Sequence, residues 1–174
     1  MKSKTCCFIG HRNIEMTDEL EKEIYGYIEN LIISENVKTF LFGSKSDFDY
    51  LCHSVVSCLK NKYPEIKRIG YTCKSESVIL ESEREKWEKI YSELEKKEVR
   101  LCGVEEEFEH KNKYFAGKGA YIERNQAMID DSDYCVFYYD ENYRIKGNKQ
   151  GNSGTKIAFK YANGKKKVIK NFYN

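Results

Sequence analysis

The sequence predicts an α/β fold: a Rossmann-like parallel sheet with helices on both faces, in a single domain over residues 1–174. Three observations predict it. Short apolar runs alternate with segments of helical period along the chain. Several of those runs stop at a glycine or a small polar residue just before a helical pattern opens. Residues 134–139 form an unbroken apolar run, the kind found in a strand buried on both faces.

The first strand is expected over 5–9, ending at Gly10, and a helix follows from the N-cap Thr17 with Leu20, Ile24, Tyr27, Ile28 and Leu31 at helical spacing. A second strand over 39–42 ends at Gly43 and Ser44. The helix after it carries Phe48, Leu51, Cys52, Val55, Val56 and Leu59 and stops before Pro64. A third strand is expected over 66–72, then a highly charged helix over 82–97 with a thin apolar stripe at Trp87, Ile90, Tyr91 and Leu94. Residues 99–104 read as a short strand, and the acidic, aromatic stretch 105–115 as an irregular excursion. A helix over 119–130, the strand over 134–139, a glycine-rich loop over 147–155, a helix with Ile157, Ala158, Tyr161 and Ala162, and a closing strand over 167–170 complete the order.

At 174 residues the chain is long enough to bury a core without staples. It is 40% hydrophobic, and its 14 tyrosines can cover a core edge while keeping a hydroxyl in water. Thirty basic against 28 acidic side chains leave a formal charge of only +2, which argues against nucleic acid or an anionic membrane as partner and makes any anion site local. The small basic cluster Lys165, Lys166 and Lys167 reads as a solvated turn. Seven cysteines, lacking metal-type CxxC pairs and lying mostly in apolar runs, suggest a reducing, cytoplasmic setting. No metal is expected, because Cys6 and Cys7 point to opposite faces of a strand and His11, His53 and His110 have no ligand spacing.

Ligands of open parallel sheets bind beyond the carboxyl ends of the strands, at helix N-termini whose free N–H groups favour anions. Three loops fit. Gly10, His11 and Arg12 combine a close backbone approach with two charge-assisted donors, or form a plain tight turn. In the second loop, Gly43 and Ser44 precede Asp47 and Asp49, acids that the helix dipole alone would explain and that could also take a ribose hydroxyl or act as general base. Ser153, Gly154 and Thr155 suit a phosphate, although no Walker A pattern is complete.

The run from Glu123 through Arg124 and Asn125 to Asp133, then a buried strand, then Ser153-Gly154-Thr155, resembles the SLOG superfamily, which groups the DNA-processing protein A and Lonely Guy proteins. Gly10-His11-Arg12, Gly43-Ser44 with Asp47-Phe48-Asp49, and Phe137-Tyr138-Tyr139-Asp140 are most similar to its YpsA-like branch. The resemblance covers nearly the whole chain and implies a Rossmann-like domain for a nucleotide or nucleotide-derived ligand. Lonely Guy enzymes hydrolyse the N-glycosidic bond of nucleoside monophosphates with an arginine followed by lysine and a Pro-Gly-Gly-x-Gly-Thr-x-x-Glu loop. Here Arg124 matches the arginine, Asn125 replaces the lysine, Gly154 and Thr155 match the Gly-Thr, and Ala158 stands where the glutamate should be. Alanine cannot activate water or stabilise an oxocarbenium-like transition state, so cleavage would need Asp47, Asp49 or Glu123 instead.

The expected function is therefore binding of an ADP-ribose-type or cyclic nucleotide ligand by a sensor or a sequestering protein, the latter suited to phage anti-defence. The alternative is a nucleoside 5'-monophosphate N-glycosidase using Asp47 or Asp49, and a third reading is a single-stranded DNA-binding accessory. No cofactor is expected, and the abundant aromatics suggest a homo-oligomer.

Overall fold

The computed structural model describes residues 2–43, 46–73, 104–110, 118–143 and 153–174. The expected helix over 82–97, nearly all of the expected strand over 99–104, the glycine-rich stretch 147–152 and Ser44 lie outside the described residues. Within them the order is β1 (Lys4–Gly10), α1 (Asp18–Glu35), β2 (Val37–Phe42), α2 (Asp47–Lys62), β3 (Lys67–Cys73), β4 (Glu106–His110), α3 (Lys118–Asp130), β5 (Tyr134–Tyr138), α4 (Gly154–Gly164) and β6 (Val168–Asn171). The strands form one six-stranded sheet in the order β4-β3-β2-β1-β5-β6, every pairing parallel. This is the Rossmann-like arrangement expected.

Local chemistry places the helix starts. Thr17 caps α1 by accepting from Leu20 N at 3.1 Å, and acids occupy the first turn, where the helix dipole favours them. The helix ends at Asn36, whose φ of 57° is left-handed and tolerated by asparagine. Ser46 caps α2 by accepting from Asp49 N at 2.9 Å, and Ser153 caps α4 by accepting from Lys156 N at 3.1 Å.

Strand alternation then divides the core. Cys6, Phe8, Phe40, Phe42 and Val136 face α1 and α2, where they meet Ile24, Ile28, Val55 and Leu59. Cys7, Ile9, Leu41, Cys135 and Phe137 face α3 and α4, against Met128, Ile129, Ala158 and Ala162. Phe8 stacks on Phe42 with ring centroids 5.1 Å apart. Each such fully buried ring contributes on the order of 2 kcal/mol.

The stretch expected to be irregular contains a strand instead. Glu106–His110 pairs with β3 from Ile69↔Glu106 to Cys73↔His110. The pattern concealed it because an edge strand is held by its backbone ladder, and Glu106, Glu107 and Phe108 are exposed, so no apolar alternation is needed. Its acidic side chains also discourage edge-to-edge association.

Glu105 fixes the register of that edge. It accepts from Arg68 N at 2.6 Å and from Arg68 Nη2 at 2.8 Å, while its own N–H donates to Arg68 O at 2.9 Å and Lys60 Nζ lies 3.1 Å away. Partial burial pushes its carboxyl pKa up, but hydrogen bonds from the Arg68 side chain and backbone and from Lys60 outweigh burial and lower it from 4.5 to about 2. A depressed carboxylate pKa stabilises the fold above the unfolded value, and that contribution is lost as pH falls from about 4.5 through about 2. Glu105→Gln is expected to destabilise the protein at neutral pH by about 1–2 kcal/mol after solvent screening is allowed for. Urea unfolding at pH 7 and in acid checks this: the gap between variant and parent should close in acid, and a gap that stays constant would refute the assignment.

Candidate functional site

Strand order places β1 between β2 and β5, and the winding of the chain reverses between β1 and β5. In open parallel sheets, such a reversal is where ligands bind, beyond the carboxyl ends of the two strands. The loops after β1, β2 and β5 all leave the sheet at this edge.

Gly10 closes β1 for a packing reason. A Cβ built there would lie 2.4 Å from Phe48 Cβ and 2.5 Å from Phe48 Cγ, so the glycine admits the close approach of α2. The loop that follows is tied to the same helix: Asp47 N donates to Arg12 O at 2.9 Å, and Ile14 N donates to Asp47 Oδ2 at 3.3 Å. Arg12 is exposed at the mouth of this loop.

His11 behaves differently from the charged donor expected. It is 2% exposed and its Nε2 accepts from Asp140 N at 2.8 Å. Burial lowers its pKa below 6.5, opposed by Asp140 through its backbone and then through its carboxylate. The imidazole is thus held neutral, and Arg12 is left as the charged member of the pair. The Tyr143 ring stacks on it at 3.8 Å.

Gly43, at the end of β2, is buried against Arg124. A Cβ there would meet Arg124 Nη2 at 3.2 Å, so the absence of a side chain leaves room for the guanidinium. Arg124 is 6% exposed, reaches this strand end from α3 and lies over the Tyr121 ring with its Cζ 5.2 Å from the centroid. Asn125, next along α3, is half-buried. Two residues far apart in sequence that were singled out separately are therefore in contact.

Asp47 and Asp49 open α2. Asp47 grips the β1–α1 loop as described, whereas Asp49 is 7% exposed and its Oδ2 accepts from Ser46 Oγ at 2.9 Å. Ser153, Gly154 and Thr155 open α4 after β5: Ser153 caps the helix, Thr155 is buried, and a Cβ at Gly154 would meet nothing within 4 Å. Ala158, at the position of the absent glutamate, is 1% exposed in the core between α4 and the sheet.

Sequence reasoning passed over two side chains here. Tyr143 carried no signal, since its partner His11 is distant in sequence. His53 did have one, lying four residues after Asp49; it is buried one turn along α2 with its ring edge-on to Phe42 at 5.2 Å. Among the described residues, no group of three or more His, Cys, Asp and Glu could hold a metal ion, and no helix is long and apolar enough to cross a membrane.

The YspA SLOG family matches residues 6–171. Among solved structures, the chain is similar to DNA processing protein A from Helicobacter pylori, studied for its single-stranded DNA binding mode, with a TM-score of 0.51 and 14% identity. The likeness covers 95% of this chain and 63% of that one, and it shows the shared fold alone. No curated protein matches the sequence.

Proposed function

Because the chain belongs to the YspA SLOG family, we propose that it holds a nucleotide-derived ligand, of ADP-ribose or cyclic nucleotide type, at the carboxyl ends of β1, β2 and β5. The observation that carries this reading is the buried Arg124 guanidinium laid against Gly43 at a strand end. A planar fork of donors in a low-dielectric setting suits a phosphate, with Arg12 at the mouth as a second cation. Ser153, Gly154 and Thr155 would add the amides of a helix N-terminus. Arg12, Gly43, Arg124 and this helix start form the proposed binding set, with Asn125 beside Arg124.

Binding without cleavage is favoured over N-glycosidic hydrolysis. Ala158 is packed in the core, and two of the three candidate acids are engaged, Asp47 with the Ile14 amide and Asp49 with Ser46. Such a protein would act as a sensor or sequester its ligand, as a homo-oligomer or alone. Native mass spectrometry of the purified chain, followed by heat release, is expected to yield an intact nucleotide derivative. Free base with a ribose phosphate would instead establish hydrolysis, and base release that survives alanine at both Asp47 and Asp49 would remove those residues from the chemistry.

The likeness to a single-stranded DNA-binding protein supports a second reading, against which the near-neutral charge weighs. Salt-sensitive retention of single-stranded DNA would favour it over the small ligand.

A further inference from the structure

Beyond the sheet ladder, the ends of β1 and β5 are joined by one side chain. A backbone N–H can only donate, so the 2.8 Å contact from Asp140 N requires His11 Nε2 to be unprotonated. The neutral ring then carries its proton on Nδ1, an atom with no hydrogen-bond partner among the described residues. The residues after β5 close a short turn over this ring. Tyr143 N donates to Asp140 O at 3.1 Å and Asn142 N to Asp140 Oδ1 at 2.8 Å. The Tyr143 ring lies flat on the imidazole, with an interplanar angle of 8°, and the Tyr139 ring is tilted against it at 6.0 Å. Asn171, at the end of β6, holds the far side of the same turn through Tyr139 N at 2.9 Å and Tyr139 O at 3.0 Å.

We propose that His11 is a positioning residue that latches the 139–143 turn onto the end of β1, and that its protonation releases the turn and weakens binding of a phosphate-bearing ligand there. The ligand half of this inference rests on the function proposed above; the latch half does not.

Protonation would set Nε2–H against the Asp140 N–H, two donors facing each other, and would place a charge in a site closed to water. Tyr139, Asp140 and Tyr143 face the ring from the turn. Arg12 neighbours it on its own loop, and Asp47 of α2 grips that loop from the other side. Asp140 favours the imidazolium, but burial prevails and the pKa lies below 6.5. A histidine with a lowered folded pKa stabilises the neutral arrangement fully above the unfolded value and loses that contribution as pH falls through the folded one. The latch is therefore closed at neutral pH and opens only as pH falls below 6.5 through the lowered folded value.

Two substitutions separate the acceptor from the ring. His11→Gln can place its side-chain oxygen near the Nε2 position and does not titrate, whereas His11→Phe keeps a ring under Tyr143 and removes the acceptor. The first experiment needs no ligand: imidazole nitrogen shifts and hydrogen-exchange protection of the Asp140 amide, measured on the whole chain from about pH 7.5 downward until the His11 ring has titrated. In the parent protein, Nε2 should be unprotonated at the upper pH, and Asp140 protection should fall roughly three- to tenfold on acidification, the worth of one hydrogen bond. Protection should stay flat in His11→Gln and low throughout in His11→Phe. A protonated Nε2 at neutral pH, or pH-independent protection in the parent, overturns the latch. The second experiment measures ADP-ribose affinity over the same range, and is expected to show a similar weakening in the parent and none in His11→Gln. Affinity that tightens in acid, as for an imidazolium touching phosphate, overturns the positioning role, as does affinity that ignores pH while the Asp140 amide responds. Absence of ADP-ribose binding at every pH, with the amide behaving as described, leaves the latch standing and counts against the ligand reading alone.

Discussion

Replacing Gly10 with alanine is expected to destabilise the fold by about 3 kcal/mol, at the upper end for overpacking a close contact. The added Cβ would stand 2.4 Å from Phe48 Cβ, 2.5 Å from Cγ and 2.5 Å from Cδ1. These are root atoms of a fully buried side chain in the first turn of α2, so no rotamer change removes all three contacts. Relief requires α2 to move away from β1. That movement would strain the bond from Asp47 N to Arg12 O and loosen packing around Phe8 and Phe42. For a domain of this size the melting temperature should fall by roughly 6–12 °C. Phe48→Ala alone should cost about 3–5 kcal/mol through the cavity it leaves, and less in the Gly10→Ala background, because it then also removes the Cγ and Cδ1 clashes while keeping Cβ. Thermal unfolding of the four proteins forms a double-mutant cycle; a Gly10→Ala protein within about 0.5 kcal/mol of the parent would show that the approach of helix to strand does not need glycine.

The largest effect on binding is expected at Arg124. Arg124→Met keeps most of the aliphatic stem and loses the guanidinium, so the fold should survive while affinity for ADP-ribose drops roughly 30- to 1,000-fold, about 2–4 kcal/mol. Arg124→Lys should recover little, since an ammonium cannot present a planar fork between Gly43 and the Tyr121 ring. Calorimetric titration gives the affinities, and circular dichroism establishes that both variants fold. Undiminished binding by a folded Arg124→Met protein would place the ligand elsewhere. Gly43→Ala offers an independent check, because its methyl would press on the guanidinium at 3.2 Å and should weaken binding without deleting any donor.

Periodicity and capping carried most of the architecture. Leu20, Ile24, Ile28 and Leu31 mark the buried stripe of α1, and the cap residues Thr17, Ser46 and Ser153 each stand one residue before their helix. These features depend on the identities of residues within a turn or two, so they are readable locally. The uninterrupted apolar run at Tyr134 identified a strand covered on both faces, and the structure places β5 next to the central β1. The acidic β4 lacked any such mark, since what holds it is the exposed backbone edge of β3 and the Glu105 contact to Arg68, a residue far away in sequence.

The alternation of strands and helices, the helix starts, and the loops that stand at the carboxyl edge of a parallel sheet are all legible in local residue patterns. Gly10, His11 and Gly43 stood out as residue types suited to that edge, and Arg124 through the resemblance to the SLOG superfamily. What each of them does there follows from the strand order. Strand order brought Gly43 against Arg124 and turned Gly10 toward Phe48, while the neighbouring β5 turn converted His11 from an expected charged donor into a buried neutral acceptor. The physical reason is that caps and periodicity act between near neighbours in the chain, whereas burial, desolvation and steric approach depend on whichever distant residues the sheet places alongside.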